Sequence, residues 1–598
     1  MTAELLLVLA DIMLLLIFAL PFVAALLCLA LNRSVPTRAL GLGGAATLVI
    51  AAAVLLFVRL RGGLPLALPA YAWAALDDRP VYLVLRFDGA SWPLALLVLG
   101  GGALAMWELA QAVPAGLHGF GGLFAALMLM VLASLAGLAN QDPLLLPFAW
   151  ALVTLFTAMA LHASGATAGS DRLPVGVLAG LLGALALLGA ALALPSEEPV
   201  ATLPPAVLAG WALAGLLAIG APPFHASLDE PSPAPSALMG ILLALGLPLL
   251  GGHALMRFVA AQDGLPPHWR TLLMVVGILT LLACAAGATA TSSARRLIGW
   301  QFSAQMGLWL MAVGRGSAAL NSAAPALLTN AVLTTLACYL ALAVLERRAG
   351  TDDLATIGAP GPLVLPGLAF LIGAASAIGI PGTWGWWARR WLFDDVLRTV
   401  PWAVPVILAA SALAALAYIA PLAAFWRDAH SAPTGRARQE RSAPAPASLI
   451  GPALAALPLL IWGAMPQLAW MGWLSAAQVT LAPDAPAAPP ALPGGWTRIA
   501  YAAAAILLLL PIGWRRSTPR CAQADPDVHA PGVLTPQALG HSLRGLAWLG
   551  SPVGLFERLW NGLLRLSRTI QQLLTPFERR YYLAGLMIAL IVVILLLI

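Results

Sequence analysis

Six ionisable residues interrupt or adjoin apolar runs: Asp11, Glu108, His225, Asp229, Glu230 and Arg389. His225 follows Gly220-Ala221-Pro222-Pro223-Phe224 directly. A histidine titrates close to neutral pH, which suits a proton path or a gate; the same residue equally suits capping a broken helix. Asp229 and Glu230 come shortly before an apolar run that starts near Ser236. Carboxylates are favoured at helix N-termini, so a capping role is preferred for them over contact with a neighbouring subunit. Arg389 and Arg390 lie beyond Trp384-Gly385-Trp386-Trp387-Ala388. The pair fits either a buried counter-charge or an interfacial anchor of the snorkelling type, and burial is preferred for Arg389 alone. Asp11 and Glu108 are membrane carboxylates, which are functional hypotheses by default, but both are placed near an interface and rank lower. His162 and His253 are assigned to an interface or the core. The four cysteines, Cys28, Cys284, Cys338 and Cys521, form no CxxC pair. There is no P-loop, no dinucleotide fingerprint and no nucleophile elbow. No catalytic, cofactor-binding or metal-ligating residue is expected in this chain.

The elements that would position these residues are membrane helices. Hydrophobic residues make up 61% of the 598 and charged residues 9%, against about 25% charge in a soluble domain. Apolar runs of ~20 residues, long enough to cross a bilayer, recur throughout. They fall at 4–31, 39–60, 90–113, 119–138, 143–163, 174–195, 204–222, 236–258, 271–291, 299–320, 324–346, 361–380, 403–426, 446–470, 497–514 and 581–598. The fold class is therefore an all-α polytopic membrane protein of about 15–16 transmembrane helices. Val81-Tyr82-Leu83-Val84-Leu85 alternates as a short strand would. Residues 552–575 alternate leucines with arginines and read as an amphipathic helix at an interface or along a partner. All 31 basic residues are arginines, because the chain contains no lysine. Most arginine pairs fall on one side if the N-terminus is outside. That pattern implies a multi-pass protein of a cell inner membrane, with the lipid bilayer and not nucleic acid as its partner.

Two of the spans are broken. The first break is the Gly220–Pro223 stretch, and the second is Gly379-Ile380-Pro381-Gly382. Proline removes a backbone donor and clashes with the preceding turn, and irregular backbone at membrane depth survives only where protein or water satisfies it. The breaks lie five spans apart, which suggests two inverted five-helix repeats and marks a transport-type framework. The expected organisation is N-terminal helices over 1–113, a first repeat over 119–258, a second over 271–426, C-terminal helices over 446–514, and the amphipathic helix with a final span over 552–598.

In their order, several motifs resemble the antiporter-like membrane subunits of respiratory complex I, the Mrp cation antiporters and the hydrogenase-4 (formate hydrogenlyase) type. They are Leu85-Arg86-Phe87-Asp88-Gly89, Pro223-Phe224-His225 with Pro231 to Met239, Arg295-Arg296-Leu297-Ile298 with Gln305-Met306-Gly307, and Asp352-Asp353-Leu354 followed by Gly379-Ile380-Pro381. The resemblance covers residues 80–425 and implies two proton half-channels with a glutamate, lysines and connecting histidines. At the corresponding positions this chain has Ala151, a site near Ala218, no basic residue within 240–245, Asn330 and Thr334, and Arg389. The resemblance thus implies a membrane subunit of a complex I-like or hydrogenase-like redox assembly, with proton translocation reduced or lost and the redox cofactors in partner subunits. The alternative is a working proton or cation transporter, or the membrane half of a bicarbonate-accumulating complex. Arg389 and His225 are the leading ion-pathway candidates, ahead of Asp229, Glu230, Asp11 and Glu108.

Overall fold

The structure, a computed structural model, describes residues 3–61, 65–68, 71–76, 79–114, 116–140, 142–166, 174–194, 204–222, 234–261, 265–316, 323–354, 356–357, 363–425 and 449–482. His225, Asp229 and Glu230, the spans at 497–514 and 581–598, and the amphipathic helix over 552–575 lie outside the described residues.

Helices α1 (Ala3–Ala30) and α2 (Thr37–Arg61) open the chain. Four short strands follow: β1 (Leu66–Ala67), β2 (Tyr71–Leu76), β3 (Arg79–Leu83) and β4 (Arg86–Phe87). They pair antiparallel as β1–β4 and β2–β3, and β3 takes up most of the expected strand. Then come α3 (Trp92–Ala112), α4 (Gly121–Ala139), α5 (Leu146–Ala163), α6 (Val175–Leu192) and α7 (Pro205–Ile219). Helices α8 (Ser236–Leu245) and α9 (Leu247–Ala260) form one span jointed at Gly246, where Pro248 sits in the first turn of the second piece. They are followed by α10 (Pro267–Ala290), α11 (Ala294–Arg315), α12 (Ala324–Ala349), α13 (Val364–Ile378), α14 (Trp384–Thr399) and α15 (Ala403–Ala424). The described chain closes with α16 (Ile450–Ala464), α17 (Pro466–Ala469), a π-helical turn (Trp470–Leu474) and α18 (Ser475–Leu481).

Among the described residues nine helices are long and apolar enough to cross a membrane, and α16 with the segment Pro466–Leu481 makes a tenth, bent by 106°. Three further apolar helices, α6, α7 and α13, are shorter. The protein is thus a mainly helical polytopic membrane protein. Two elements depart from the spans drawn on the sequence. The run 446–470 turns sharply at Met465-Pro466, because a proline tolerated at the start of a helix cannot continue the one before it. Residues 384–399, placed outside every span, form helix α14; its tryptophans, arginines and aspartates hide a helix that packs against protein.

Helix α12 is the centre of the bundle, with its whole apolar stretch buried. Only about a third of the corresponding stretches of α1 and α2 is buried, so these two helices keep alkyl side chains facing outward, as lipid-facing helices do. Close helix contacts rest on small residues. At the α10–α11 crossing Gly277 and Gly307 face one another, and a Cβ on Gly307 would sit 2.7 Å from the Gly277 carbonyl oxygen.

Candidate functional site

Helices α7 and α13 are each 15 residues long, and they end alike. Gly220 (φ 64°, ψ 38°) and Gly379 (φ 86°, ψ 44°) both adopt the left-handed conformation that closes a helix. Ala221 N–H donates to Leu216 O at 3.0 Å and Gly220 N–H to Leu217 O at 3.4 Å. Ile380 N–H donates to Ala375 O at 2.8 Å and Gly379 N–H to Ser376 O at 3.1 Å. Both ends are Schellman motifs. The two helices run in opposite directions. Along α7, Gly215 meets Leu255 and then Ala218 meets Gly251 of α9, so α7 runs away from the Arg257 end of α9. Along α13, Phe370 contacts Cys338 and then Ser376 contacts Asn330, so α13 runs away from the Arg347 end of α12. Arg257 and Arg347 themselves pair with opposite ends of α3, at Asp88 and Glu108 respectively.

Both breaks rest on α11. Ser303 Oγ donates to Ile219 O at 2.8 Å at the first break. Two residues on, and on another face of the helix, Gln305 Oε1 accepts from Asn330 Nδ2 at 3.0 Å and from Thr334 Oγ1 at 3.1 Å. Asn330 Oδ1 accepts from Ser376 Oγ at 2.7 Å, and Ser376 Oγ accepts from Gly385 N–H at 2.8 Å. The network therefore stitches α11, α12, α13 and α14 together across the second break. A Cβ on Gly385 would be driven into the Ser376 carbonyl, so only glycine permits this approach.

Arg389 is 6% exposed. Its guanidinium donates to Ser411 Oγ of α15 at 2.7 Å and to Ala377 O in the last turn of α13. A cation is favoured at a helix C-terminus, so among the described residues carbonyl dipoles and a hydroxyl balance this charge with no carboxylate. Arg390, read as the more interfacial of the pair, is instead buried, 4.9 Å from the centre of the Trp387 ring and 4.0 Å from Asp394 Oδ2. The break is packed from the side by Trp384, Trp462 and Trp473, and Trp387 Nε1 donates to Gly463 O at 2.9 Å.

The first half offers less chemistry. Ala218 packs on Gly251, and the 240–245 stretch is apolar. Two expected residues move in rank. Glu108, placed near an interface, is fully buried and pairs with Arg347 of α12; as α3 packs against the central helix, it is drawn into protein. Asp11 lies partly exposed on α1. His253 is buried in the core and His162 is exposed. Near Arg347, Arg295 Nε sits 2.8 Å from Glu346 and 3.7 Å from Asp352. At the opposite end Asp88 accepts from Ala90 N–H, Ser91 N–H and Arg257. Burial opposes its ionisation, but the Arg257 guanidinium and the Ser91 amide outweigh burial and hold the carboxyl below its usual range. Ser376 and Ser411 carry little signal in the sequence, where each is only a polar residue inside an apolar run, and Gln305 stands out there only as part of the Gln305-Met306-Gly307 motif. Among the described residues no group of three or more His, Cys, Asp or Glu side chains is placed to hold a metal.

Broken, oppositely directed helices thus flank one polar helix, the framework of a transport-type fold. Residues 207–416 match the family described as NADH:quinone oxidoreductase/Mrp antiporter, transmembrane. NADH-quinone oxidoreductase subunit 14 of Thermus thermophilus is 28% identical over 389 residues, covering 62% of this chain and 82% of that protein. The fold is shared with the Mrp complex of Dietzia sp. (TM-score 0.69, 23% identity, 92% of this chain and 62% of the other). It is also shared with respiratory complex I of Thermus thermophilus with bound aureothin (TM-score 0.58, 23% identity, 76% and 98%).

Proposed function

We propose that this antiporter-like subunit works inside a larger membrane complex of the complex I or hydrogenase type, and that its own proton transfer is reduced or lost. Redox cofactors belong to partner subunits in this reading. The arginine distribution favours a cell inner membrane with the N-terminus outside.

One observation carries the proposal. The buried network at the second break consists of amides, hydroxyls and one arginine, and none of these changes protonation near neutral pH. At the first break the relay positions implied by family resemblance are alanine or aliphatic. Such a site can hold water, but it lacks a lysine whose charge a neighbouring pair would modulate. The competing reading is a working ion transporter, which the retained broken helices favour.

The test is proton flux in proteoliposomes containing the whole complex, normalised to assembled complex. Arg389→Ala and His225→Ala are expected to leave flux within about twofold of the parent. A collapse of flux in either variant, with assembly intact, establishes the transporter reading instead.

A further inference from the structure

A cavity of about 520 Å³ extends from the N-terminal end of α11 to the first break. Ser293, Arg295 and Asp352 line one end, and Ala218 and Pro248 the other. The walls between are hydrocarbon, among them Leu161, Val177 and Leu242. The depth can be read along α8 and α9, where Met239 and Pro248 both line the cavity; the helical rise between them is about 14 Å. That is close to half the ~30 Å hydrocarbon thickness of a bilayer, the depth of one leaflet. The charges at the polar end satisfy one another. Arg295 Nε sits 2.8 Å from Glu346 and 3.7 Å from Asp352, and Asp352 also accepts from Ser293 Oγ. Arg296 is engaged as well. With Glu346 and Asp352 set against Arg295 and Arg296, this end carries no net charge and leaves no cation waiting for a ligand.

Helix α6 stands between this cavity and the bilayer. Its Leu181, Leu182 and Leu185 are exposed, whereas Val177 and Ala179 line the cavity. Gly176 both lines the cavity and is exposed, so the space is reached from outside at the start of α6. Water needs two to four polar partners per molecule, which the alkyl walls do not supply, and a dry void forfeits the contacts its lining would otherwise make. The medium beyond α6 is hydrocarbon chain, and a volume of this size suits one small apolar guest. We propose that the cavity holds one acyl chain of a bilayer phospholipid, which enters beside Gly176 and ends near Ala218, and that it selects the chain and not the headgroup. The leaflet-deep apolar walls supply the selection, and the self-paired charges at the mouth add none. The seated chain keeps water from the first break, whether or not the complex moves protons.

The experiment uses the full chain, purified and stripped of lipid, then supplied with long-chain phosphatidylglycerol, long-chain phosphatidylcholine or short-chain phosphatidylcholine. Bound lipid is read by native mass spectrometry. The two long-chain lipids are expected to be retained within about twofold of each other, and the short-chain lipid at least fivefold less. Ala179→Phe, which fills the cavity from α6, should cut long-chain retention at least fivefold. Leu242→Trp fills it from α8 and should do the same, so it decides the matter should Ala179→Phe fail to fold. No lipid retained by the parent, retention unchanged in both variants, equal retention of short and long chains, or a headgroup preference beyond twofold would each overturn the proposal.

Discussion

Arg389 stands where the family resemblance places a lysine, and the exchange is not conservative. A desolvated lysine can lose its proton, whereas a guanidinium keeps its charge. Here the charge is directed at the Ala377 carbonyl and Ser411, so the residue pins α14 to the end of α13. Asp88 is the clearest titratable residue outside the spans, and its behaviour can be checked. Its carboxyl is held below the usual range, so its charge stabilises the fold above the unfolded pKa of about 4. That stabilisation disappears as pH falls through the lower folded value. Asp88→Asn keeps an acceptor for the Ala90 and Ser91 amides but removes the charge facing Arg257. It should cost about 2 kcal/mol at neutral pH, the scale of a hydrogen bond to a charged group. The gap between parent and variant should stay constant down to about pH 4 and close below it. Thermal unfolding in detergent across that range measures it, and a gap independent of pH would refute the assignment.

At the scale of elements, the two breaks share one capping geometry but differ in what surrounds it. Gly379→Ala forces a left-handed alanine, at a cost on the order of 1–3 kcal/mol, and brings its Cβ to 2.5 Å from Arg389 Cδ. Gly220→Ala carries the same backbone cost. Gly379→Ala should therefore lower the unfolding temperature more than Gly220→Ala, and combining it with Arg389→Ala should recover part of the difference. Equal effects of the two glycine changes would mean that Arg389 does not press on the break. Both breaks were legible in the sequence because glycine and proline interrupt a helix through their own backbone chemistry, whatever surrounds them. The bend at Met465 was not, since a single proline in an apolar run also fits a straight kinked helix. Helix α14 was missed for the opposite reason: its charges find partners in Arg315 of α11 and the Ala377 carbonyl of α13, which no local window reveals. The Gln305–Asn330–Ser376 network was hidden likewise, because its members come from three helices.

Across the whole molecule, ion pairs tie the N-terminal helices to both broken-helix halves. Helix α3 is held at its start by Asp88–Arg257, which joins it to α9, and at its end by Glu108–Arg347, which joins it to α12. Arg315–Asp395 adds a tie between α11 and α14 at 2.7 Å. In a chain so poor in charge, each such pair is a large local commitment: an ion removed from water must find its partner or bear the full desolvation cost. Glu108 is fully buried, whereas the Arg347 side chain is 27% exposed. The two partners should therefore respond unequally. Arg347→Met strands a buried carboxylate and should destabilise by about 3 kcal/mol. Glu108→Gln leaves an arginine with some access to solvent and should cost less. The double variant should be more stable than Arg347→Met alone, because the stranded charge is gone. A double-mutant cycle read by thermal unfolding in nanodiscs checks this ordering. Strict additivity of the two changes would show that the pair contributes nothing as a pair, and that packing alone fixes α3 against the central helix.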